Sequence, residues 1–238
     1  MLSVTDLIVG PIYISLAYFI LYLLKPSFTN KRTQKYFFPA FSAKVFGLLF
    51  FAFIYGSYYG GGDTFNYFNA GNLLRYYILN GDIGLSALFT SANDITSPDY
   101  HIISRIFFFE SAEEWTVVRI IAFGNILSFQ SYIGTGVFFA FGCFLGMWRL
   151  YSTISRLFPE ISRVLAYAIL FAPSSIFWGS GLMKDTVAFT CSCYMIACLL
   201  DIFTGASKAL IKDVGIVIIC VLLLLTMKIY IFFALLPA

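Results

Sequence analysis

Residues 120–148 form a run of 29 without one charged side chain. An uncharged apolar stretch of about 18 residues or more reads as a membrane-spanning helix. Further apolar runs lie at residues 7–24, 37–59, 164–178, 186–203 and 214–235. Inside hydrocarbon no water is available, so backbone N–H and C=O groups must find partners within the protein. Six such runs predict an all-α fold, a polytopic transmembrane helical bundle of about six spans. Composition agrees: only 11% of the 238 residues are charged, against about 25% in a soluble domain. No internal repeat or low-complexity linker interrupts the pattern, so residues 1–238 are expected to form a single integral membrane domain.

Basic residues fall unevenly across the connections. Lys25, Lys31, Arg32, Lys35, Arg149, Arg156, Arg163, Lys208 and Lys212 share one side of a six-span arrangement, and Lys44 is counted with them. That side then holds ten bases against three acids, and the other holds five bases against nine acids. Lys and Arg concentrate in cytoplasmic loops, so both termini are expected outside. The net charge of +3 is too small and too scattered for a nucleic-acid partner. All five cysteines lie in apolar runs, where packing rather than disulfide bonding is their expected role. The first apolar run follows no basic segment and precedes no small-residue cleavage site, so it reads as a retained helix. The apolar ending "LLPA" reads as a chain cut short.

One long connection, residues 60–118, lies on the acidic side and is expected to hold short interfacial helices. It contains "GGGDTFNYFNAGN". A helix is predicted from Asp63 to Asn80, stopped by the glycine of "NGD". Phe65, Phe68, Tyr76 and Leu79 share one of its faces, which places it on the membrane surface. Ser111 and Glu114 have the spacing of a capping box, with Trp115 at the interface. The helix they start is expected to run on into residues 120–148. There, Gly142 and Gly146 permit close helix packing. Residues 164–178 reach only about 22 Å as a helix, and Pro173 breaks them. The connection "GSGLMKD" is therefore expected below the surface, where irregular backbone survives only inside protein or against a watery cavity.

Asp63 is the first candidate for chemistry. Glycines let backbone approach a ligand closely, and a carboxylate beside them can act as general base or help hold a divalent metal ion. The plainer reading is a helix N-cap after a glycine turn. Lys184 and Asp185 are the second candidates. Lys184 can meet a lipid phosphate as a point charge, or it snorkels while Asp185 caps a helix. Arg75, Arg105, Arg119 and Lys228 complete a set of outward cations that suits an anionic headgroup or pyrophosphate. Glu110, Glu113 and Glu114 crowd a helix start, where acids are favoured. His101 is the only histidine, so no histidine-based metal cluster is available. Gln130 and Lys228 are the polar groups expected at mid-depth.

The segments "YYGGGDTFNYF", "FAPSSIFWGSGLMKDT" and "MKIYIFFALLP" resemble a family of bacterial polytopic membrane proteins. More distantly, the layout is similar to GT-C glycosyltransferases and polysaccharide polymerases. The resemblance implies a bacterial cytoplasmic (inner) membrane location and a polyprenyl-phosphate-linked sugar donor. It makes Asp63 the catalytic loop acid and Lys184 a substrate-binding cation, joined by Arg119, Asp185 and Arg75. Asp63 follows the second span, whereas the usual acid of such enzymes follows the first. The rival expectation is a non-enzymatic subunit of a larger membrane assembly, with lipids and a membrane-protein partner as its contacts.

Overall fold

The computed structural model describes residues 3–91 and 94–235. The apolar chain end at 236–238 lies outside them. Every regular element among the described residues is helical. In chain order these are α1 (Val4–Phe28), α2 (Gln34–Phe53, extended by a π-helical turn over Ile54–Tyr58), α3 (Asp63–Asn80), α4 (Tyr100–Ile103) and α5 (Ala112–Leu127). Then come α6 (Tyr132–Leu157), α7 (Ser162–Leu165), α8 (Pro173–Trp178), α9 (Lys184–Phe203), α10 (Leu210–Met227) and α11 (Ile229–Leu235).

Five of these helices are long and apolar enough to cross a membrane: α1, α2 with its π turn, α6, α9 and α10. The chain is thus a multi-pass membrane protein. α6 is the hub. Of its most apolar window 67% is buried, against 17% for α1 and 22% for α10, so those two helices turn most of their surface outward. Trp148 Nε1 donates to the Phe28 carbonyl at 2.9 Å, tying the late part of α6 to the end of α1. Phe37 meets Trp148 edge to face at 4.7 Å, so the start of α2 lies at that same end. Arg149 of α6 pairs with Asp201 of α9, and Asp213 of α10 joins them. One end of the bundle therefore gathers the basic connections. We call it the basic end, and the other, which carries residues 59–118, the loop end.

Three apolar runs are interrupted, each for a local reason. Residues 120–148 divide into α5 and α6 at a turn over 128–131, where Phe129 and Gln130 take positive φ of 53° and 64°. Asp6 of α1 fixes the break. One carboxylate oxygen accepts from Ser131 Oγ at 2.8 Å and from the Ile133 N–H at 3.0 Å. The other accepts from the Ser3 N–H at 2.7 Å. A buried carboxylate thus serves the N-termini of two helices, where negative charge is favoured. Gln130, expected at mid-depth, sits in this turn at the loop end. Residues 164–178 break into α7, a π turn over Ala166–Leu170 and α8, which starts at Pro173 where proline supplies no N–H. Residues 214–235 break at Lys228, which bonds to Asp185 instead of continuing α10.

The loop end differs from the sequence expectation in its packing. α3 does not lie on the surface with one apolar face down. Phe65 and Phe68 are buried against Tyr132 of α6, while Tyr76 and Leu79 stay exposed. Ser111 does precede α5, but its side chain makes no capping hydrogen bond. Trp115 is buried rather than interfacial, and its indole N–H donates to the Thr90 carbonyl at 2.9 Å. Gly146 does allow close packing of α6 on α9: a Cβ there would lie 3.1 Å from the Thr190 carbonyl oxygen. Gly142 faces open space.

Candidate functional site at the loop end

The three glycines before Asp63 have a specific task. Gly60, Gly61 and Gly62 take φ of +66°, +151° and +124°, a region that L side chains avoid. Their turn carries the chain from the π-helical end of α2 directly into α3. Gly62 is the N-cap, so Asp63 is the first helical residue rather than the cap. Its carboxylate is exposed and has no hydrogen bond or ion pair among the described residues. The positive end of α3 favours a negative charge there. The same glycine turn borders a polar notch of about 180 Å³, lined by Gly60, Gly61, Phe65, Asn66 and Asn69 but not by Asp63 itself. Asparagine amides both donate and accept, which suits a hydroxyl-rich ligand.

The expected cations at this end have protein partners. Lys184, first residue of α9, lies 2.8 Å from Glu114 and 3.5 Å from Glu113 at the start of α5. Those two acids thus serve as counter-ions as well as first-turn charges. Asp185 pairs with Lys228, and Asp185 is not the N-cap of α9, a position held by Met183. Arg119 donates to the Leu88 carbonyl at 3.2 Å and to Thr116 Oγ1 at 3.1 Å, and burial lowers its guanidinium from its ordinary value. It ties α5 to the 85–88 turn. Arg75 lies 12 residues beyond Asp63 on α3, about 18 Å along a helix, and its Nε is buried without a partner among the described residues. Lys184 and Asp185 are therefore ion-paired with α5 and with Lys228, and neither Arg75 nor Arg119 joins them.

Tyr67 marks the meeting point. Burial raises its phenol well above the ordinary range, and the charges of Glu114, Asp63, Asp185 and Glu113 add to that. Four carboxylates from α3, α5 and α9 therefore act on one phenol, which stacks on Phe108 at 4.6 Å. The sequence alone gave no reason to single out Tyr67, because its neighbours arrive from three separate segments.

An apolar groove of about 260 Å³ lies between α5, α6 and α9. Phe123, Leu127 and Phe138 form its outer lip, and Thr186 and Val187 line it close to the Lys184–Asp185 pair. Neither Asp63 nor Lys184 lines the groove or the polar notch. The groove and the polar notch are separate features at the same end of the bundle.

One charged residue was misplaced by sequence reasoning. Lys44 does not belong to the basic end. It is the eleventh residue of α2 and only 1% exposed. Its ammonium donates to the carbonyls of Ser175 at 2.6 Å and Gly179 at 3.0 Å, and it stands 5.7 Å from the Phe189 ring centre. It thereby satisfies carbonyls at the C-terminal end of α8, where a cation also suits the helix dipole. Gly47, one turn on, lets the segment approach: a Cβ there would lie 2.2 Å from the Ile176 carbonyl oxygen. The "GSGLMKD" connection thus starts deep in the bundle, with Ser180 and Leu182 buried. A lysine inside an apolar run was the available signal.

Among the described residues, no group of three or more His, Cys, Asp or Glu side chains is placed to hold a metal ion. Comparison with protein-family models, curated proteins and solved structures returns no match for this chain.

Proposed function

We propose that this protein is a membrane-embedded, glycosyltransferase-like enzyme of the bacterial cytoplasmic membrane, using a polyprenyl-phosphate-linked sugar at the extracytoplasmic face. The loop end would face outward, because nine Lys and Arg residues remain in the connections of the basic end once Lys44 is removed from the count. The observation that carries the reading is Asp63: an exposed, unpartnered carboxylate held by a glycine turn beside an amide-lined notch. In the proposed step Asp63 takes the proton of an acceptor hydroxyl as general base. The acceptor oxygen bonds to the anomeric carbon, and the bond from that carbon to the lipid phosphate breaks. The phosphate leaves with the electron pair. Lys184 exchanges a glutamate for the departing phosphate, and the apolar groove beside Thr186 and Val187 receives part of the lipid chain.

Asp63→Asn tests this directly. Surface-glycan assembly should be lost while the amount of membrane-inserted protein stays the same, because the exposed side chain has no contact to lose. Normal glycan in that strain removes Asp63 as the base. A second reading, a non-enzymatic subunit of a membrane assembly, is favoured by the saturation of Lys184 and Lys228 with carboxylates. A stoichiometric co-purifying partner that shields Asp63 from labelling, together with an active Asp63→Asn variant, would select it.

A further inference from the structure

The basic end holds a second feature that the proposed reaction does not use. A depression of about 460 Å³ lies where the α1–α2 connection meets the end of α6 and the start of α7. Lys31, Arg32 and Arg156 line it together with Thr33, Ser155 and Ser162, and no carboxylate does. Arg156 is also bonded to Asp201, which lines the adjoining groove, so one guanidinium serves both. Thr33 is the N-cap of α2, a helix with no acidic residue in its first turn. The positive end of a long helix is therefore left without a protein counter-charge beside three cations.

Ser155 is the independent observation. It is 7% exposed, and its hydroxyl has no partner among the described residues. Thr116, Thr190 and Ser192 bond back to the carbonyl four residues earlier at 2.8, 2.7 and 2.9 Å, whereas Ser152, which lines the adjoining groove, is unpartnered as well. Ser155 makes no such bond, while Ser162 across the depression is bonded to Tyr151 at 3.2 Å. A buried hydroxyl left without a bond is costly unless a ligand supplies one.

We infer that this depression is a phosphate site at the basic end. Its ligand is a phosphate group, carried by an anionic phospholipid of the adjacent leaflet or free in solution. Lys31, Arg32 and Arg156 neutralise it, and Ser155 donates its hydroxyl hydrogen to a phosphate oxygen.

The test measures binding to the purified full chain in neutral detergent micelles, with phosphatidylglycerol, phosphatidylcholine or inorganic phosphate added, followed by thermal shift and by lipid retention in native mass spectrometry. Phosphatidylglycerol retention above phosphatidylcholine assigns the lipid source. A response to inorganic phosphate alone assigns the free anion. In either case the double change Lys31→Gln/Arg32→Gln should weaken binding about tenfold or more, and Ser155→Ala about threefold. Lys208→Gln/Lys212→Gln, in the adjoining groove, should leave it unchanged. Three results overturn the inference: neither probe outperforms phosphatidylcholine, the Lys31/Arg32 and Ser155 variants bind as the parent does, or the Lys208/Lys212 control loses as much. Should the double variant not fold, Ser155→Ala and the control decide the matter.

Discussion

The two ends of the bundle pair their charges in opposite ways. At the basic end the acids are inside: the Asp201 and Asp213 side chains are 4% and 8% exposed, while Arg149 and Arg156 are 39% and 46% exposed. At the loop end the lysines lie deeper than most of their partners. Lys228 is 11% exposed against 39% for Asp185, and Lys184 is 26% exposed against 54% for Glu113. Within these ion pairs the basic end thus buries its acids, whereas at the loop end Lys228 lies deeper than Asp185. A buried charge needs a partner, and pairing within the protein leaves the outward field of each end to its remaining surface charges. That field is what orients helices in a membrane and draws counter-charged ligands to one face.

The largest effect that sharpens this comparison is expected from Asp201→Asn. Asp201 accepts from Arg149, Arg156 and Thr153, so its neutralisation leaves two arginines without their shared anion. The expected loss is about 3 kcal/mol, below the full cost of breaking a buried pair because the arginines are half in solvent. Thermal unfolding in detergent micelles measures it, and a loss under about 0.5 kcal/mol would show that the buried acid is not what holds α6 to α9.

Next comes Lys228→Gln, with an expected loss of about 1–2 kcal/mol and a looser junction between α9 and α10. Burial acts to lower the Lys228 ammonium, but its bond to Asp185 outweighs this and holds it above the ordinary 10.5. A raised value in the folded state means that this contribution is complete below 10.5 and fades only as pH climbs past the folded value. The gap between parent and variant should therefore be flat from about pH 6 to 9. A gap that closes within that range would break the assignment of the ion pair. The smallest effect belongs to Lys184→Gln, under about 1 kcal/mol, because both partners meet water. A loss as large as that of Asp201→Asn would erase the distinction between the ends.

Much of the fold was legible where local chemistry decides it. Three positive-φ glycines and Gly81, itself left-handed at φ +77°, mark both ends of α3, and the sequence placed that helix from Asp63 to Asn80 as the structure does. The breaks in the longer apolar runs were hidden because their causes lie far away in the chain. Asp6 acts on Ser131 from 125 residues away, and Lys228 is drawn off α10 by Asp185, 43 residues earlier. A polar "SFQS" within residues 120–148 was the one local hint of the first break. At the candidate site, Asp63, Lys184 and Asp185 could be read from their glycine and helix-end settings. The convergence of Asp63 and Asp185 on Tyr67 could not, nor could the pairing of Lys184 with Glu114.

Lys44 has a consequence for biogenesis. Its two carbonyl acceptors are synthesised 131 and 135 residues after it. At a translation rate of about 5–20 residues per second, α2 spends on the order of ten seconds or more with an ammonium it cannot yet satisfy. The growing chain must shelter that group in water or in the insertion machinery until α8 emerges and docks, so the interval before docking leaves nascent α2 open to misinsertion and quality control.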